Sequence, residues 1–206
     1  LYFLDIPGRL LCRWHPDESG FDVLYVGGPT IGGFTLEEDG SLLVFRENDI
    51  GRLVPGRPVE SLIAFQDEGS SRFNDVIATP HGEVIAGTIG QNETSGGLFR
   101  LTRNGQISEL WRGTGCSNGM GYAPNLETFY WTCSTRKQIY AYNHELANGE
   151  LSHERLIFEG SDEVIPDGMT VDATGTLWSA RYKGEGIARH EADGTVIEHY
   201  PMPVDH

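Results

Sequence analysis

The 206-residue chain is short of cysteine, of basic side chains and of any long apolar run. Its three cysteines, Cys12, Cys116 and Cys133, fall at unrelated spacings. That excludes a CxxC-type metal signature and a disulfide framework, and points to a reducing cytoplasm. Lys and Arg number 15 against 30 Asp and Glu, giving a formal net charge of −15. A field of that sign repels a nucleic-acid backbone, so nucleic acid is not an expected partner. The acidity serves solubility, and part of it is available to help hold a divalent cation. No apolar run approaches the roughly 18 residues of a membrane helix, so no membrane partner is expected. No basic segment with an apolar stretch precedes the first β-prone run, although the opening residues already read as mid-domain. The seven His form no HExxH spacing. His15, His81, His153 and His199 fall in turns or outer runs and read as solvated groups.

What the chain has instead is a repeat. Acidic or turn residues, then Gly, then a short β-prone run recur in EEDGSLLVF (37–45), TPHGEVIAGT (79–88), APNLETFYWTC (123–133) and DATGTLWSA (172–180). LYFLDI (1–6) is the run of a fifth copy. Second apolar runs follow at 9–14, 50–54, 97–102, 138–143 and 186–190, and third runs at 21–26, 59–65, 107–111, 151–158 and 196–200. One more strand precedes each later copy, carried by IGGFTL, NDVIAT, GMGYAP and GMTVDA. No amphipathic helix of useful length intervenes. Four short strands per unit of about 40–50 residues, parted by Gly and Asn/Asp turns, is the pattern of a propeller blade rather than of a sandwich.

The expected fold is therefore all-β, a six-bladed β-propeller of which this chain supplies about four and three-quarter blades. Residues 1–206 form one incomplete propeller domain, beginning at the second strand of a blade and stopping at PMPVDH (201–206). Open sheet edges template association, so self-association is expected.

The innermost strand of each blade lines the central channel. Eight positions before the turn glycines Gly40, Gly82 and Gly175 stand Gly32, Asn74 and Asp167. In the fourth copy, which lacks its glycine, SNGMGYAP aligned on PDGMTVDA puts Asn118 in the same slot. Asn74, Asn118 and Asp167 should thus enter their strands at one height, around one channel mouth. Asn and Asp before Gly also occur in ordinary turns, where they bond local backbone. Three in one register facing a channel favour a hard cation: Ca²⁺, Mg²⁺, Mn²⁺, or Zn²⁺.

LYFLDIPGRLLCRW, SRFNDVIATPHGEVIAGT, CSNGMGYAPNLETFYWTCS and IPDGMTVDATGTLWSARYKGEGIARH resemble successive motifs of the gluconolactonase and regucalcin (senescence marker protein) family, in order along nearly the whole chain. TIGGFTLEEDGSLLVF resembles the bacterial gluconolactonase-like branch. The resemblance implies a six-bladed propeller that hydrolyses sugar lactones with one divalent metal. It implies that Asn118 and Asp167 ligate the metal, that Arg72 and Asn74 contact substrate, and that Asp167 is also the proton acceptor. A metal-binding Glu of that pattern has no counterpart, since its place falls about a dozen residues before Leu1. Cys133 stands where such sequences often have Asp, and Asn92 or Glu93 aligns only loosely with a further substrate contact. A broader esterase or organophosphate hydrolase, a calcium-binding protein without turnover, and an inactive fragment of a lactonase are the alternative readings.

Overall fold

A computed structural model describes residues 1–184 and 186–203. The described residues carry 19 strands in five antiparallel sheets, and no helix long and apolar enough to cross a membrane. The first sheet has three strands, β1 (Tyr2–Asp5), β2 (Leu10–Trp14) and β3 (Phe21–Val26). The second is β4 (Gly33–Leu36), β5 (Leu42–Phe45), β6 (Asp49–Leu53) and β7 (Glu60–Ala64). The third is β8 (Ser70–Ala78), β9 (Val84–Gly90), β10 (Gly96–Leu101) and β11 (Ile107–Thr114). The fourth is β12 (Ser117–Tyr122), β13 (Thr128–Cys133), β14 (Gln138–His144) and β15 (Leu151–Glu159). The fifth is β16 (Ile165–Val171), β17 (Leu177–Tyr182), β18 (Gly186–His190) and β19 (Val196–Pro201). Strands follow chain order within every sheet, as in consecutive blades of a β-propeller. Of the expected closing segment PMPVDH, residues 204–206 lie outside the described residues.

The repeat glycines do what their position requires. Gly40, Gly82 and Gly175 sit at φ +81°, +71° and +90°, and each amide donates back three residues to close the turn between the first two strands. Glycine enters that left-handed region without steric cost. In the fourth blade Leu126 takes the same slot at φ +62° and makes the same bond to Ala123.

Alternation along the strands gives each sheet two apolar faces, and four core clusters lie between successive blades. Phe73 of the third blade meets Phe45 of the second edge-on at 5.3 Å between centroids, and Trp131 of the fourth meets Trp111 of the third at 5.4 Å. Phe45, Phe73 and Trp131 are fully buried, and a side chain of this kind contributes about 1.5–3 kcal/mol. The inner strands touch in the order β4, β8, β12, β16, so one residue at equal height on each faces a common axis.

Candidate functional site at the channel mouth

Three of the four inner strands carry a β-bulge, and each bulge falls on a residue singled out by the repeat register. On β8 the ladder slips between Phe73 and Val76, across Asn74 and Asp75. On β12 it slips between Asn118 and Met120, and on β16 between Pro166 and Met169, across Asp167 and Gly168. The pairing of β4 with β5, where Gly32 precedes the strand, is regular. A bulge re-aims side chains that the pleat would otherwise turn away, which here gathers polar groups towards the axis.

Small residues let the blades close around them. A Cβ on Gly32 would lie 1.9 Å from Phe73 O and 3.1 Å from Arg72 Nη1. A Cβ on Gly119 would lie 2.4 Å from Met169 N and 2.5 Å from Asp167 O. Gly32, which occupies the slot of the second blade, lets β4 approach β8, and Gly119, beside the Asn118 slot, lets β12 approach β16.

The outcome is a connected chain of contacts. Arg72 Nη1 donates to Asn74 Oδ1 at 2.9 Å and to Phe73 O at 2.8 Å. Asn74 Nδ2 donates to Ser117 O at 2.9 Å, and Trp131 Nε1 fixes the Ser117 hydroxyl at 2.6 Å. Asn118 Nδ2 donates to Asp167 Oδ1 and, at 3.1 Å, to Ser134 Oγ, which donates to Pro166 O at 2.7 Å. Asn118 and Asp167 therefore touch, Arg72 and Asn74 touch, and Ser117 links the two pairs.

Electrostatics supply what the sequence did not reveal. Burial lowers the Arg72 guanidinium from its usual range, against the opposing pull of Cys116 and Glu47. Burial raises the Asp167 carboxyl, although Asn118 and the Gly168 amide hold it down in part. Asp75, the bulge neighbour of Asn74, is pushed up to about 6, chiefly by burial and further by the charge of Asp167. Cys116 is pushed up to about 11 by burial and Asp167, and its Sγ lies 3.7 Å from Asn74 Nδ2. Glu47, Asp75 and Cys116 thus join the mouth, though none stands in the register slot from which the site was read. The only sequence signal for Asp75 was its adjacency to Asn74.

Other candidates fall elsewhere. Cys133 is fully buried, with its Sγ 3.1 Å from Thr114 Oγ1. Asn92 is exposed and spends its carbonyl on Thr94 of its own turn, and Glu93 is exposed beside it.

The donor set fits a hard divalent cation. Asp75 and Asp167 make no ion pair among the described residues, and Asn118 Oδ1 accepts no hydrogen bond there. Two carboxyls forced above their usual range, beside an idle amide oxygen, form a pocket that a positive charge relieves. No group of three or more His, Cys, Asp or Glu among the described residues has metal-holding geometry, so any such site draws on the asparagine.

Asp75 carries a consequence for stability. Its folded pKa of about 6 lies above the unfolded 3.8, so the protonated form is favoured in the native state. Its contribution is present in full below pH 3.8 and is lost as pH rises through about 6. The loss is at most about 3 kcal/mol. Denaturant unfolding of metal-free protein from pH 4 to 7 should show this decline, and Asp75→Asn should make it smaller, leaving the part due to Asp167. An undiminished decline in the variant would assign it to other groups.

The sequence profile of the SMP-30/Gluconolactonase/LRE-like region matches residues 1–206. Pentonolactonase XacC of Haloferax volcanii is 37% identical over 207 residues, covering all of this chain and 70% of that protein. Regucalcin of Xenopus laevis is 30% identical over 216 residues, covering all of this chain and 72% of that protein. The structure of a regucalcin from Agrobacterium tumefaciens, described as a calcium-binding protein, superposes with a TM-score of 0.86 at 18% identity, covering 99% of this chain and 70% of that one. With the profile spanning every residue and a 37% identical relative aligned along the full chain, the protein belongs to the SMP-30/gluconolactonase/LRE-like family.

Proposed function

We propose that the protein hydrolyses sugar lactones at the channel mouth, in the manner the name of its pentonolactonase relative describes. The observation that carries this reading is the convergence of Asn118 with Asp167 beside the linked pair Arg72 and Asn74. Asn118 Oδ1 and the Asp167 carboxylate would hold one divalent cation, after an amide rotation that turns the Asn118 oxygen inward. Ca²⁺, Mg²⁺, Mn²⁺ and Zn²⁺ all suit such donors, and calcium is the ion named for the Agrobacterium regucalcin. When bound, the cation supplies Lewis-acid polarisation of a carbonyl and a lowered pKa for water.

The chain's own residues do the rest. Arg72 Nη1 and the Asn74 amide orient the lactone through its ring hydroxyls, making attack by water effectively intramolecular. Asp167, raised by burial, accepts a proton from that water as it adds to the lactone carbonyl. Collapse breaks the ring C–O bond, the departing oxygen regains a proton, and the hydroxy acid leaves. One lactone and one water give one acid.

The whole ring is proposed to have six blades. Among the described residues the inner strands pack in the series β4, β8, β12, β16, with no substantial packing of β16 on the first sheet. Apolar Trp14, Phe21 and Val23 are exposed on the first sheet, and this surface is proposed to associate with a second copy when left uncovered. Free thiols at Cys12, Cys116 and Cys133 suit a reducing cytoplasm.

Acid release from glucono-, xylono- and arabinono-lactones, followed by pH-stat, tests the reading. Arg72→Met should raise KM about tenfold, or about 1.4 kcal/mol, and change kcat less. Cation binding with no acid release from any lactone would favour the calcium-binding alternative, which the regucalcin relatives support.

A further inference from the structure

Eight buried side-chain polar atoms have no hydrogen-bond partner among the described residues, and four belong to one cluster far from the mouth. They are His81 Nδ1, His144 Nε2, Tyr122 Oη and Arg100 Nε. The cluster lies between the third and fourth blades, where Tyr122 ends β12 and His144 ends β14. His81 and His144 have ring centroids 5.5 Å apart, and the Tyr122 ring lies 4.9 Å from His144. His81 is half-buried, not the solvated turn residue that the sequence indicated.

Backbone carbonyls fix the tautomers. His81 Nε2 meets Leu146 O at 2.9 Å, and His144 Nδ1 meets Leu126 O at 2.5 Å. A carbonyl only accepts, so each imidazole donates from that nitrogen and, when neutral, carries its lone pair on the other. Those lone-pair nitrogens are the two orphaned ones. An imidazole whose second nitrogen donates to a backbone carbonyl is the usual arrangement of a metal-ligating histidine.

A bridging water is the plain alternative, but the four atoms expose almost no surface to a water-sized sphere. A metal needs less room, at about 2.0–2.1 Å from each nitrogen. Two imidazoles on one tetrahedral ion place their ring centroids roughly 5 Å apart on the same bond lengths, close to the spacing here. Arg100 opposes a cation, and Glu83 Oε2, 3.7 Å from Arg100 Nε, offsets that charge.

We propose that His81 Nδ1, His144 Nε2 and Tyr122 Oη form a second cation site, for a borderline divalent ion of the Zn²⁺ class, that staples the third blade to the fourth. Its nitrogen donors set it apart from the oxygen-rich mouth, so Zn²⁺, Ni²⁺ or Cu²⁺ should bind and Ca²⁺ should not.

The test uses chelator-stripped protein carrying Asp167→Asn, which disables the mouth. Calorimetry should find one equivalent of Zn²⁺ bound and none of Ca²⁺. Adding His81→Gln, at a partly exposed ring, should weaken Zn²⁺ binding at least a hundredfold while the melting temperature without metal stays within a few degrees. Should the double variant fail to fold, Cu²⁺ resonance spectra of the Asp167→Asn protein still decide, since two coordinated imidazole nitrogens are expected. Absence of Zn²⁺ binding, binding that survives His81→Gln, or a Cu²⁺ spectrum without nitrogen coupling overturns the proposal.

Discussion

Asp167→Asn should lower kcat/KM for lactone hydrolysis by about 10³-fold or more, because general-base loss alone costs roughly 10²–10⁴. The substitution removes both the proposed proton acceptor and, among the described residues, the only carboxylate hydrogen-bonded to Asn118. Shape is kept, so the loss should appear mainly in kcat. A second, opposite effect makes this diagnostic. Asp167 is held above its ordinary range by burial and itself raises Asp75, so without metal its charge destabilises the mouth. The variant should melt at a higher temperature than the wild type in chelator at pH 7, and the advantage should shrink when a divalent ion is supplied. Loss of activity with gain of stability is the trade expected of a strained functional group. Undiminished turnover would remove Asp167 from the chemistry.

Gly119→Ala should be costly in a different way. The added Cβ would meet Met169 N at 2.4 Å and Asp167 O at 2.5 Å, both backbone atoms with no side-chain freedom to yield. The fourth and fifth blades must then part at the point where Asn118 reaches Asp167. Overpacking of this kind costs about 1–3 kcal/mol and occasionally more. The same displacement should cut turnover about a hundredfold, since a shift of an ångström in a positioned group carries that penalty. Gly168→Ala, where an added Cβ would meet nothing within 4 Å, is the control for local backbone effects. Equal melting temperatures for the two variants would show that the close approach of β12 and β16 is not needed.

The sequence made the blades legible because the repeat is local. Turn glycines, two-residue alternation and strand length are set within a dozen residues, and the strands follow in the order expected of consecutive blades. The slot eight residues before each glycine held even where Leu126 replaces it, because the turn geometry is retained at φ +62°. The mouth was legible only in part. Asn74, Asn118 and Asp167 lie in the repeat register, but the bulges that aim them arise from pairing with β9, β13 and β17. Asp75 and Cys116 enter through those bulges and through contacts more than 40 residues apart in the chain, such as Asn74 with Cys116. The His81 cluster escaped for the same reason. A turn histidine looks solvated until the loop bearing Leu146 and Gly149 folds over it.

Chelation and restoration of turnover measure the channel mouth most directly. Stripped of divalent ions, the protein should release acid from an aldonolactone at least a hundredfold more slowly in a pH-stat, and Ca²⁺, Mg²⁺, Mn²⁺ or Zn²⁺ should restore the rate in the wild type but not in Asn118→Ala. Full-rate hydrolysis in chelator, or restoration equal in both proteins, would contradict a cation held by Asn118 and Asp167.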